Sequence, residues 1–417
     1  MRPVATWGQL RMMRGQAPPL GRRAVRVFAL LIGVGLIARV VVAFATYGVT
    51  YDIDSYVAVD GALGDDPLQL YSIVNGDPYN RWPYPSGFLP VIALMHGFQS
   101  VLGGPFHGWV QMPQILADGA IAWLVQSFLG RHGASDRTRL VAAGLVMLGP
   151  AFALISGFHG QLDSFAILPA VAAVYAWDLL PPGPRRAVLC GLLIGVGVAI
   201  KTSPGLMLFA LLPTARDNRE RLTLAAVAGA VPLIGLAPWL LADPNGTLEA
   251  LRSHRALPGI GGLSVIVQPE LSQLWLGRDV VSLSPLTDWL QDRQTLIAAL
   301  GVAPFAALAY LRRMPPAQAA TLLWLAFYAF GIAFAFQYAV WGLPFALMAG
   351  YLRPVAAVQA ALLVPAILVY WKPIGGPVEW LYVPLMVALW IGIVFALVRM
   401  TRGPARAPAP AVSPATT

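Results

Sequence analysis

Charge is what this sequence has least of. Of 417 residues, 11% are Asp, Glu, Lys or Arg and 58% are hydrophobic, whereas soluble domains carry about 25% charged residues. That deficit excludes a soluble globule. Cysteine is nearly absent: Cys190 stands alone inside an apolar run, so no internal disulfide can form. Lysine is reduced to Lys201 and Lys372, and the rest of the 28 basic residues are arginines. The net charge of +9 does not read as a nucleic-acid signal, because no basic stretch is interleaved with aromatics. The arginines fall instead in short gaps between apolar runs, as in the cytoplasmic loops of membrane proteins. No duplicated half is visible either, which weakens a transporter built from repeated halves.

What the chain has is apolar length. Val25–Thr46, Leu222–Leu241, Ala317–Phe336 and Tyr382–Val398 approach or reach the ~20 residues that span a bilayer. The expected fold is therefore all-α, a polytopic helical membrane protein of about twelve spans. They are placed at 25–46, 109–129, 140–157, 163–180, 187–200, 203–213, 222–241, 294–311, 317–336, 340–352, 355–371 and 379–399. The first 24 residues are too long and Arg-rich for a signal n-region, and no small-residue cleavage site ends the first run, so that run reads as a retained helix. Residues 1–24 are then a basic cytoplasmic N-terminus, 25–402 a single transmembrane domain and 403–417 a disordered, Pro- and Ala-rich cytoplasmic tail.

Arginine placement sets the orientation. Arg2, Arg11, Arg14, Arg22, Arg23 and Arg26 hold the N-terminus inside. If Gly87–Gly103 spans, every later basic loop with odd parity falls outside. Its Pro90, His96, Gln99 and Ser100 suit a juxtamembrane helix on the outer surface better. With that reading Arg131, Arg137, Arg139, Arg185, Arg186, Arg216, Arg219, Arg221, Arg312, Arg313, Arg353, Arg399 and Arg402 all lie inside. The outer face is then built from a first loop, 47–108, and a second large loop, 242–292.

The scarce polar residues converge on that outer face. The first loop opens with Tyr51-Asp52-Ile53-Asp54-Ser55-Tyr56 and closes with Arg81-Trp82-Pro83-Tyr84-Pro85. Later come His159-Gly160-Gln161-Leu162-Asp163-Ser164, Lys201, Arg252-Ser253-His254-Arg255, Gln337-Tyr338 and Trp341. An outer site has no nucleotide sugar available and must take an energised substrate that crosses the bilayer, such as a lipid-linked donor. A transporter or flippase for a lipid-linked saccharide or an anionic solute is the alternative, but it should place its polar groups near the midplane. Deep in the membrane, Arg39 and Asp118 lie at matching depths, and an ion pair between them is expected.

These residues carry a resemblance. D-x-x-x-Y from Asp52 to Tyr56, Tyr84-Pro85, Leu116-Ala117-Asp118, His159 to Ser164, and Lys201-Thr202-Ser203-Pro204 stand in order over residues 25–260. In this the chain resembles the GT-C superfamily of integral-membrane glycosyltransferases. It looks closest to the polyprenyl-phosphate-mannose-dependent group and the ALG-type glucosyltransferases. The resemblance implies transfer of a hexose, mannose above all, from a polyprenyl-phosphate donor to a lipid or glycan acceptor at the plasma membrane. No metal or other cofactor and no nucleic acid are expected, and inversion at the anomeric carbon is. It implies a catalytic carboxylate in the first loop. Asp52 fits the family spacing, and Asp54 offers a second acid. Tyr84, His159, Gln161, Asp163, Lys201, Arg252, His254, Arg255, Gln337 and Tyr338 are the expected substrate-binding residues. Lys201, Arg252, His254 and Arg255 are the candidate cations for a departing lipid phosphate.

Overall fold

The computed structural model describes residues 19–75, 80–253, 258–276, 282–371 and 379–403. His254, Arg255, Lys372 and most of both expected tails lie outside the described residues. The described chain is helical, with no strand.

It opens with α1 (Arg22–Ala45), followed by the outer-loop helices α2 (Thr50–Asp65), α3 (Leu70–Val74) and α4 (Leu89–Leu102). Next come α5 (Phe106–Arg131), α6 (Asp136–Met147), α7 (Pro150–Leu154), α8 (Asp163–Leu179), α9 (Pro184–Ile200), α10 (Leu206–Leu211) and α11 (Asn218–Ala242). The second loop folds into α12 (Pro244–Arg252), α13 (Leu263–Val267), α14 (Ser272–Trp275) and α15 (Pro285–Asp292). The bundle closes with α16 (Gln294–Leu311), α17 (Pro316–Phe330), α18 (Ala339–Met348), α19 (Leu352–Trp371) and α20 (Tyr382–Arg402).

Each of the twelve expected apolar segments overlaps a helix, but α17 stops at Phe330, short of the expected 336, and α10 and α18, with 6 and 10 residues, are much shorter than the expected spans. Among the described residues six helical stretches are long and apolar enough to cross a membrane: Arg22–Ala45, Asp136–His159, Asn218–Ala242, Gln294–Leu311, Leu352–Trp371 and Tyr382–Arg402. The chain is a polytopic helical membrane protein. α5 is longer than any of these but less apolar, because Gln111, Gln114, Asp118 and Gln126 line it. All four are buried, so α5 stands at the centre of the bundle, against α1, α6, α8 and α18. The peripheral helices turn apolar residues outward, among them Leu30, Ile37 and Val41 on α1 and Leu233 and Ile234 on α11. At 14 residues and 1.5 Å per residue, α4 is too short for a ~30 Å hydrocarbon core. It packs on α2 and α5.

The ends of the helices are written into the sequence. Ser135, Asp217, Asp243 and Ser284 accept from backbone N–H groups in the first turns of α6, α11, α12 and α15. Pro184, Pro244 and Pro285 open helices where no N–H partner is needed. The expected span 140–157 is broken: α6 ends at Met147, and Pro150 starts α7, which runs into a π-helical turn, Ile155–His159. Proline has no N–H to continue the ladder, so the carbonyl at Val146 needs another donor. Arg39 supplies it: Nη2 donates to Val146 O at 3.1 Å and Nη1 to Met147 O at 2.6 Å. Its Nε donates to Asp118 at 3.0 Å. The expected pair is present, and it also caps a broken helix.

The two ends of the bundle differ in chemistry. One gathers arginines with their acids: Arg131 with Asp178, Arg139 with Gln126 and Asp136, and Arg186 with Glu220. The other carries the first and second loops and a separate apolar cluster of Ile53, Tyr56, Tyr71, Trp82, Phe88 and Leu89 with their neighbours.

Candidate functional site

The site lies at the second end and begins with two glycines. Gly48, at φ +82°, turns the chain from α1 into α2, and a Cβ there would meet Phe158 O at 2.7 Å. Gly160, at φ +85°, ends the π-turn, and its Cβ would meet Ile53 Cδ1 at 2.8 Å. Only glycine tolerates both the left-handed backbone and the close approach. Together they let α2 start directly on residues 158–161, with Val49 N–H donating to His159 O.

Asp52 occupies the first turn of α2, where the helix N-terminus favours a negative charge. His159 Nε2 lies 2.7 Å from its Oδ2, and Gln161 Nε2 donates to its Oδ1. The far side of the imidazole meets Tyr370 of α19, with Nδ1 2.7 Å from the hydroxyl. Gly160 O, in turn, accepts from Tyr56 and Gln114. Asp54 does not join this group. It accepts from the Tyr47 hydroxyl at 2.7 Å, and that bond holds the Tyr47 phenol above its usual pKa.

A second carboxylate sits beside the first. Asp163 begins α8 fully buried, and Oδ1 accepts from Lys201 Nζ at 2.6 Å and from Trp341 Nε1 at 2.7 Å. Lys201 caps the C-terminal end of α9, and its ammonium lies 5.1 Å from the ring centres of Tyr84 and Trp341 and 5.9 Å from that of Tyr338. Tyr338 stacks on Trp341, with centroids 4.1 Å apart. Burial, then the negative charges of Asp52 and Asp163, raise the Tyr84 phenol far above its usual pKa, so its hydroxyl stays a donor. Among the described residues Asp163 Oδ2 and Gln161 Oε1 are buried acceptors with no hydrogen-bond partner. Buried acceptors in native proteins are nearly always met by a donor, water or ligand included.

Of the expected site residues, the structure brings together Asp52, Tyr84, His159, Gln161, Asp163, Lys201 and Tyr338. Gln337 sits beside them in the short turn Phe336–Tyr338, half-buried. Lys201 differs from expectation in one respect: its charge is already balanced by Asp163. Arg252 is exposed at the end of α12, on the rim. There Ser253 meets the Asn80 side chain, and Asn80 O accepts from Tyr51. Arg81 joins the same rim, with its guanidinium 5.2 Å from the Tyr51 ring centre. Tyr370, Trp341, Gln114 and Arg81 were not among the expected site residues. An indole flagged as a landmark, a glutamine inside an apolar span and a tyrosine at a span end gave no local signal of partnership.

No family model matches the chain. A stretch of 101 residues, 23% of this chain, is 33% identical to the dolichyl pyrophosphate Glc1Man9GlcNAc2 alpha-1,3-glucosyltransferase of Eremothecium gossypii and spans 17% of that relative's length. Among solved structures, ArnT from Cupriavidus metallidurans in the apo state aligns with 91% of this chain and 73% of its own, at 17% identity and a TM-score of 0.46.

Proposed function

We propose that the chain is an integral-membrane glycosyltransferase of the GT-C type. It takes a hexose from a polyprenyl-phosphate donor and passes it to a lipid or glycan hydroxyl on the extracytoplasmic face of the plasma membrane. The observation that carries this reading is Asp52, a carboxylate fixed by His159 and Gln161 at the end of the bundle opposite the arginine-rich end. The motif resemblance and the partial match to a dolichyl-linked glucosyltransferase support it. Positive-inside orientation puts the arginine-rich end in the cytoplasm and the site outside.

In the proposed reaction the acceptor oxygen attacks the anomeric carbon while Asp52 takes its proton as general base. The C1–O bond to the lipid phosphate breaks on the opposite face, its electrons leave with the phosphate, and configuration inverts. Arg252 and Arg81 at the rim, together with Arg255 and His254 beyond the described residues, meet the phosphate charge. Asp163 Oδ2 and Gln161 Oε1 accept from sugar hydroxyls, and Tyr84, Tyr338 and Trp341 face the ring. The proposed reaction uses no metal ion. The motif resemblance favours mannose and the curated relative's name favours glucose.

The test is incubation of purified protein with radiolabelled polyprenyl-phosphate mannose, or the glucose equivalent, and native lipid extract. Asp52→Asn should lower turnover by about 10²–10⁴-fold, the usual contribution of a positioned base, with donor affinity within a few-fold. Asp54→Asn should transfer nearly as well as wild type. Wild-type protein that transfers neither sugar, or an Asp52→Asn variant as active as wild type, would overturn the assignment.

A further inference from the structure

The arginine-rich end of the bundle has an opening between two helices that the proposed reaction does not use. α10 has only 6 residues and passes into a short turn, Leu212–Thr214. The 18-residue α16 runs alongside it and offers Ala306 and Ala307, whose methyls are too short to fill the space beside Phe209 and Leu212. The result is a groove of about 320 Å³, lined by these four residues with Tyr310 and Leu311. Its lining is apolar apart from the Tyr310 hydroxyl, and Phe209, Tyr310 and Leu311 are exposed, so it opens to the side of the bundle.

A cation stands at one end of the groove. The Arg221 guanidinium, from the start of α11, lies 5.4 Å from the centre of the Tyr310 ring, close enough to be held on its face. Its Nη1 donates to Asn218 Oδ1 at 2.6 Å, but Nε is buried and meets no acceptor among the described residues. The cations around it are engaged elsewhere: Arg186 with Glu220, Arg216 with Asp217 at 3.9 Å, and Arg312 with the carbonyl of Thr401. Among the described residues no carboxylate pairs with Arg221. A buried N–H is nearly always met by an acceptor, and a guanidinium is met best by a carboxylate or a phosphate.

We propose that this groove binds one anionic phospholipid of the surrounding leaflet, with an acyl chain between α10 and α16 and the phosphate on Arg221. The two parts of the site match the two parts of such a lipid. A free phosphate would leave the apolar lining without an occupant, and a zwitterionic lipid brings its own ammonium, which offsets the charge that Arg221 meets. Basic pockets between helices hold anionic headgroups in this way, and one arginine near the surface is worth about 5-fold in binding. The site lies at the opposite end from Asp52 and does not depend on the proposed glycosyl transfer.

The test uses the full-length protein in phosphatidylcholine nanodiscs doped with a photo-crosslinking lipid whose diazirine sits on an acyl chain. One preparation carries a phosphatidylglycerol probe and the other a phosphatidylcholine probe. Mapped by mass spectrometry, the phosphatidylglycerol probe should label residues 206–214 and 306–311 about 5-fold more than the other. Arg221→Leu should bring the two probes to the same level. Arg221→Gln, which keeps a polar side chain, should do likewise, and thermal midpoints within a few degrees of wild type show that folded proteins are compared. Ala307→Trp, which fills the groove and leaves Arg221 in place, should also abolish the preference. Equal labelling by both probes in wild type, or a preference that survives both Arg221 changes, overturns the inference. Displacement of the probe by inorganic phosphate, or by polyprenyl phosphate more readily than by phosphatidylglycerol, overturns the choice of occupant.

Discussion

All three guanidinium nitrogens of Arg39 are engaged, by Asp118, Ser156 and the backbone carbonyls of Gly35, Val146 and Met147. Removing its counter-charge therefore leaves a buried cation without a carboxylate, and removing Arg39 uncaps α6 as well. Breaking such a pair costs about 3–5 kcal/mol, whereas replacing both members by apolar groups is often tolerated. Asp118→Ala should lower stability in detergent by about that amount. Arg39→Leu combined with Asp118→Leu should recover part of it, but not all, because the two carbonyls stay unmet. Arg39→Lys should not substitute, since a single ammonium cannot reach both carbonyls and the carboxylate. Thermal unfolding of these variants and wild type in one detergent checks this, and a double Leu variant less stable than Asp118→Ala would mean the two charges are not coupled. The same scale explains what could not be decided between Asp52 and Asp54. Read as a loop, two acids two residues apart are interchangeable. On a helix they are about 200° apart, so only one can face His159.

At the scale of elements, the docking of α2 on the π-turn decides the geometry of the site. Gly160→Ala adds a methyl 2.8 Å from Ile53 Cδ1 on a backbone at φ +85°, a conformation costing roughly 1–2 kcal/mol for a residue with a Cβ. The helix must lift, and Asp52 with it. Transfer activity should fall at least 10-fold, as expected when reacting groups are misplaced by about an ångström, while the thermal midpoint drops by only a few degrees. Equal loss of folded protein and activity would show the glycine serves folding alone. Much at this scale was legible from sequence. Apolar length located the helices, six of them long enough to cross a membrane among the described residues, and the His159–Asp163 and Lys201–Pro204 motifs marked real breaks between helices. The break at Leu148–Pro150 was not read, because apolar residues run straight through it and the arginine that compensates for it is on another helix. Tyr370 was unreadable for a similar reason: its partner is 211 residues away, and no spacing rule reaches that far.

For the whole molecule, the proposed orientation in the membrane rests on the separation of an arginine-rich end from an acidic, aromatic end. Ser100→Cys on α4 and Arg137→Cys on α6 lie exposed at opposite ends. The native Cys190 is fully buried and should stay silent. An impermeant maleimide added to intact cells should label position 100 and not 137, with both labelled after permeabilisation. The reverse pattern would put the site in the cytoplasm and remove the reason for a lipid-linked donor. The span from Asp52 through His159 to Tyr370 also bears on how the protein is made. Synthesis runs from the N-terminus at about 5–20 residues per second, so the 211 residues between the histidine and the tyrosine take roughly 10–40 s to emerge. During that interval His159 can already meet Asp52, but the hydroxyl that faces its Nδ1 has not yet been made. The site is therefore completed only when α19 has been threaded into the bilayer, and a ribosome that stalls earlier leaves behind an unfinished bundle.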